Sequence, residues 1–127
     1  MILLDTHAWI WWACEAPELS AVAKQAIEDA DVIGVSAISV WEIAVLVRKE
    51  RVRFDRSVET WLAQALALPG IRDVAVSSQI ALQAELLPDL PGDPADRILA
   101  ATAIHYGCPL VTKDAKLQAY PALRWVW

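Results

Sequence analysis

Short apolar runs alternate with helix-patterned stretches along the whole chain, and few folds accept that order. The runs are "ILL" at Ile2, "DVIGVS" at Asp31, "RDVAV" at Arg72, "PLVT" at Pro109 and the closing "RWVW" at Arg124. Helical stretches lie between them at His7–Cys14, Ser20–Asp29, "SVWEIAVLVRKE" from Ser39, Val58–Leu68, Ser77 or Ser78 to Leu87, and the segment before Gly107. Strands separated by helices are joined by crossovers rather than hairpins, so the pattern predicts an α/β fold with a mostly parallel sheet of four to five strands. The helix from Ser39 is apolar on most of its circumference and is expected to be buried. "PGDPADRILAATAIHYG" carries the strongest punctuation, with Asp93 as cap, Pro94 at the first helical position and Gly107 past the end.

The 127 residues suit one domain spanning 1–127. A hydrophobic content of 57% against 21% charged excludes a disordered chain and favours a large core. No apolar run reaches the roughly 18 residues of a membrane span, and Asp5 interrupts the first one, so neither a signal peptide nor an anchor is expected. The reading is a cytoplasmic protein. Cys14 and Cys108 fit no metal or disulfide pattern and are expected to be small buried hydrophobes. A net charge of −5 argues against gripping nucleic acid by bulk positive charge. It leaves open an enzyme that reaches a phosphodiester through metal ions.

Four carboxylates stand where such a fold keeps its ligands. Asp5 ends the first strand, Glu42 lies in the first turn of the helix after the second, Asp96 in the first turn of the helix after Asp93, and Asp114 just after the fourth strand. In an open parallel sheet these positions share the edge at the carboxyl ends of the strands. Each has an ordinary explanation: Ser39 and Glu42 form a capping box, Asp93 and Asp96 a capped helix start, and Asp5 and Asp114 suit turns. Brought together, however, carboxylates repel unless a cation intervenes. Oxygen donors without a His or Cys cluster point to Mg²⁺ or Mn²⁺ and to phosphoryl chemistry.

"LLDTHAWIWW", "SAISVWEIA", "DPADRILAATA" and "PLVTKD" also resemble, in order, the four signature blocks of PIN-domain ribonucleases, and more narrowly those of the VapC toxins of bacterial toxin–antitoxin pairs. The resemblance covers nearly the whole chain. It implies a PIN-like three-layer α/β/α sandwich, Mg²⁺-dependent endoribonuclease activity, an RNA substrate and a cognate antitoxin. Position by position, it places Asp5, Glu42, Asp96 and Asp114 on the family's acidic residues. Asp5 and Asp96 would be the direct metal ligands; Glu42 and Asp114 would complete the shell, hold a second ion or orient water. Asp93 matches a recurrent upstream acid of lower rank, while Thr6 and Thr112 match hydroxyls that orient a carboxylate or water. The resemblance also implies a homodimer contact and an antitoxin groove, for which Trp11, Trp12, Trp125 and Trp127 are candidates.

Arg48, Lys49, Arg51, Arg53 and Arg56 form the one basic cluster, either a solvated helix end or a strip that tracks RNA phosphates. His7 suits a helix start better than a proton shuttle, His105 a helix C-terminus, and Arg97 a pairing with a carboxylate at the sheet edge. Three alternatives compete. A haloacid-dehalogenase-like phosphatase needs a second Asp where His7 stands, and a receiver-type phosphoacceptor module needs an Asp after the third strand, where "VAVSSQ" has none. A non-catalytic interaction domain needs only the Trp-rich surface.

Overall fold

Leu3 and Leu4 are wholly buried because the strand that carries them, β1 (Ile2–Leu4), is paired on both edges and covered on both faces. The computed structural model describes residues 1–127. On one side of β1 lie β2 (Ile33–Ser36) and then β3 (Ile71–Val74). On the other lie β4 (Leu110–Val111) and β5 (Trp125–Val126), giving the order β3-β2-β1-β4-β5. Every pairing is parallel, so the sheet is wholly rather than mostly parallel.

Alternation along β1 sends side chains into two different cores. Ile2 and Leu4, with Ile33, Val35 and Val111, face a layer that includes Trp9, Ala23, Ile27 and Trp61. These come from α1 (Thr6–Ala13), α2 (Ala21–Asp29) and α4 (Val58–Leu66). Leu3 and Leu110 face the other way, against Leu99, Ala100 and Ala103 of α6 (Pro94–Tyr106) and Leu117 of α7 (Ala115–Gln118). The remaining helices are α3 (Ala37–Arg48) and α5 (Ser78–Leu86). Helices on both sheet faces make the expected three-layer sandwich. None of them is long and apolar enough to cross a membrane.

All seven helices begin on a Ser or Asp whose side chain accepts a backbone N–H of the first turn, satisfying a donor that otherwise lacks a partner. Ser20, Ser77 and Asp93 are the caps read from the sequence. Gly107 ends α6 at φ 62°, the left-handed conformation that glycine adopts without a Cβ penalty.

Several expectations need correction. The cap of α3 is Ser36, not Ser39: Ser36 accepts from the Ile38 N–H at 3.2 Å, while Ser39 is buried one turn inside. Glu42 therefore falls in the second turn and closes no capping box. Helix α3 is only partly buried, with Ser39 and Ile43 fully covered, because it packs on its neighbours through one face. Its Trp41 is 61% exposed, the most exposed tryptophan in the chain. Helix α4 stops at Leu66 rather than Leu68. Asp114 is not a turn residue but the cap of α7. Cys108 is buried as expected, whereas Cys14 is exposed at the end of α1.

Candidate active site

The chain runs β1, β2, β3 outward on one side and then crosses to place β4 on the opposite edge of β1. The strand order thus reverses between β1 and β4, and the carboxyl ends of those strands flank a crevice. Asp5 caps α1 directly after β1, with Oδ1 accepting the Ala8 N–H at 2.8 Å. Asp114 stands beyond β4 and caps α7, accepting from Lys116 and Leu117 at 2.8 and 3.2 Å. The same edge receives the first turn of α6 with Asp96, capped by Asp93 at 2.9 Å, and Glu42 from α3. All five acids line one cavity of about 480 Å³, together with Thr6, His7, Trp11, Leu99 and Lys113.

Two buried hydroxyls brace the acids. Thr6 donates to Glu42 Oε1 and lies 2.9 Å from Ser39 Oγ. Thr6 has one proton to give, so with that proton on Glu42 the Ser39 hydroxyl supplies the second bond. This explains why a serine is buried inside α3. Thr112, also fully buried, accepts the Asp114 N–H at 3.1 Å. Its hydroxyl also favours the charged form of Asp5, so one side chain bears on the acids that follow β1 and β4.

The electrostatics record how closely the acids approach. Asp96 is pushed up to about 7, by burial first and then by Asp93, Asp114, Glu42 and Asp5, all acting in the same direction. Burial also raises Asp5, against hydrogen bonds from Thr112 and Ala8. It raises Glu42 as well, against the Thr6 hydroxyl. Gly92, beside Asp96, takes φ 129°, a conformation that favours glycine, and a Cβ built there would make only ordinary contact with Asp96 Oδ2 at 3.4 Å.

By donor type, the cavity suits a hard divalent cation, since carboxylates and hydroxyls dominate it. By spacing it is open: no three acidic, histidine or cysteine side chains stand close enough to close on an ion by themselves. Mutually repelling carboxylates keep apart until a cation offsets their charge.

A family model described as PIN domain matches residues 2–123. The chain belongs to the PIN-domain family. Among curated relatives of this PIN domain, Ribonuclease VapC22 from Mycobacterium tuberculosis is 44% identical over 120 residues, covering 94% of this chain and 91% of that protein. Solved structures agree in fold. VapBC2 from Rickettsia felis bound to a promoter DNA fragment superposes with a TM-score of 0.70 at 18% identity, covering 98% of this chain and 97% of that one. A toxin–antitoxin complex from Klebsiella pneumoniae gives 0.70 at 24%, covering 97% and 95%.

The PIN domain brings Asp5, Thr6, Glu42, Asp93, Asp96 and Asp114 to one cavity, with Thr112 immediately behind it. The basic cluster lies elsewhere. Helix α3 runs away from the strand ends, so Arg48 is roughly 9 Å farther along its axis than Glu42, and Lys49, Arg51 and Arg53 follow in exposed positions. Arg97 pairs with no carboxylate. Its guanidinium donates to the carbonyls of Ala84, Glu85, Leu87 and Leu90. Sequence reading missed Lys113 and Trp11 as cavity residues. Lys113 Nζ sits 6.0 Å from the Trp11 ring centroid, and "VTKD" was the available signal, a cation beside the acid it accompanies.

Proposed function

We propose that this PIN domain is a divalent-metal-dependent endoribonuclease, the toxin of a bacterial toxin–antitoxin pair acting in the cytoplasm. The observation that carries the reading is the convergence of Asp5, Glu42, Asp96 and Asp114, from four separate segments, on one cavity at the switch point of the sheet. The 44% identity with a ribonuclease supports RNA as the substrate.

Asp5 and Asp96 would hold Mg²⁺ or Mn²⁺, with Glu42 and Asp114 completing the shell, holding a second ion or orienting water. The ion, when bound, neutralises charge on phosphoryl oxygens and lowers the pKa of water. The protein's own contribution is placement. The Ala8 N–H fixes the Asp5 carboxylate, Thr6 fixes Glu42, and Thr112 holds the Asp114 backbone. Asp93 secures the first turn of α6 beneath Asp96. Lys113 supplies the cavity's one amine, suited to a non-bridging phosphate oxygen. Arg48 at the end of α3, and Lys49, Arg51 and Arg53 beyond it, stand outside the acidic cavity and suit flanking RNA or an acidic partner.

The partners that go with this reading are an RNA strand, a second copy of the chain and a cognate antitoxin. A groove of about 390 Å³ between Trp11, Trp12, Leu19 and Leu68 offers the antitoxin an apolar seat beside the acidic cavity. Purified protein is expected to cut total RNA internally with Mg²⁺ and to stop on addition of a chelator, with cut ends mapping to a small set of sites. Chelator-resistant cutting, or none by folded protein with Mg²⁺ or Mn²⁺, would refute the assignment.

A further inference from the structure

A surface depression of about 670 Å³, larger than the acidic cavity, lies apart from it. It lies between the α5–α6 connection, which contributes Pro88, Asp89 and Pro91, and the α7 region, which contributes Lys116, Ala119 and Tyr120. Both walls lead directly into the candidate active site. Pro91 stands two residues before Asp93, and the Lys116 backbone N–H is held by Asp114 Oδ1 at 2.8 Å. The two linings have no residue in common but are neighbours in the chain at two points, Ala115 next to Asp114 and Pro91 just ahead of Asp93.

The walls are fixed from both sides. Tyr120 Oη donates to the Pro88 carbonyl at 2.9 Å, tying the connection to the segment after α7. Arg97 donates to the carbonyls of Leu87 and Leu90 in the same connection. Asp89 takes φ 58°, a conformation unfavourable for a residue other than glycine, and these anchors hold it there. A cavity kept open in this way is preformed rather than opened by its ligand. Its size lies in the range of small-molecule pockets, roughly 300–1,000 Å³.

We propose that this cavity receives an unstacked nucleobase of the RNA strand next to the scissile phosphate, a proposal that rests on the ribonuclease reading above. Single-stranded RNA is recognised by splaying bases out against flat apolar or aromatic walls and pairing their edges with polar groups. Proline rings and the edge of Tyr120 supply the walls, and the Asp89 carboxylate is an acceptor for an exocyclic amine. Lys116 places a cation at the lip, where the strand's phosphates pass toward Asp114. That cation, and the direct chain link from Ala115 to Asp114 of the acidic cavity, favour a nucleotide over a protein segment.

Ala119→Trp fills the cavity and leaves the carboxylates of the acidic cavity in place. With a synthetic oligoribonucleotide spanning a mapped cut, the variant should raise KM by about 10-fold or more and leave kcat nearly unchanged. Abasic substitution, scanned along the oligonucleotide, should reveal one position where wild type suffers the same loss and the variant suffers no further one. Wild-type KM in the variant, or a full additional loss at every abasic position, would overturn the base pocket alone. So would a variant that cuts normally but no longer binds its antitoxin, which would show a protein occupant. Absence of wild-type cleavage would remove the ribonuclease reading and the pocket with it.

Discussion

Asp96→Asn is expected to reduce RNA cleavage by at least about 10³-fold while making the metal-free protein more stable above pH 7. Both effects come from one carboxylate. In the unfolded chain its pKa is 3.8, and in the fold it is pushed up to about 7 by burial and by the surrounding acids. Between those values the folded protein holds a proton that the unfolded chain has released. Stability therefore falls as pH rises through this interval, and the whole cost is present above 7. Asparagine removes that charge. The gain is roughly 1–2 kcal/mol, discounted for the water that screens a half-exposed group. It should vanish below pH 4, where the wild-type carboxyl is protonated in both states. Divalent metal should reproduce the gain in wild type and not in the variant. Thermal unfolding against pH, with and without Mg²⁺, reads this directly. A variant equally active, or less stable than wild type across the range, would contradict the account.

Arg97→Ala should be the most destabilising single substitution near the site, by about 3 kcal/mol or more. The guanidinium serves carbonyls at the C-terminal end of α5 and in the connection that follows, groups that no longer have helical N–H partners. Alanine leaves several of them unsatisfied at once. Lysine should recover only part of the loss, since an ammonium on a single point cannot match a planar fork spread over four acceptors. The same connection leads into Asp93 and Asp96, so cleavage should weaken in parallel. Denaturant titration of both variants measures this, and an unfolding midpoint for Arg97→Ala near that of wild type would show that the carbonyls are satisfied by other means.

Helix α6 was legible to the residue because its signals are local: a cap at Asp93, a proline that needs no N–H donor, and a glycine that accepts a positive φ. The acids at the ends of β1 and β4 were legible because parallel sheets expose those ends together. Helix α3 shows where locality fails. "SAISVWE" offers Ser36 and Ser39 as equally good caps, and the pairing of Ser36 with Val74 across to β3 ends β2 there and gives Ser36 the role. Ser39 is then carried inside to meet Thr6, a contact across 33 residues that no local pattern encodes. Helix α7 is four residues long, too short for a helical period to emerge. The Arg97 acceptors are main-chain carbonyls, which have no residue identity to read.

Tryptophans divide by tertiary placement alone. Trp9 is wholly buried beside Trp61, which stacks on Phe54 at 4.1 Å. Trp11 meets Trp127 edge-on at 5.8 Å. Trp41, one residue from Glu42, faces outward, although the apolar run around it suggested burial.

A crystal soaked in Mn²⁺ and measured for anomalous scattering tests the shared-ion claim most directly. The account predicts a peak in the acidic cavity within coordination distance of Asp5 and Asp96 oxygens, with Glu42 or Asp114 drawn toward it. Manganese bound only elsewhere, with Asp5 still held by Ala8, Glu42 by Thr6 and Asp114 by the start of α7, would contradict it.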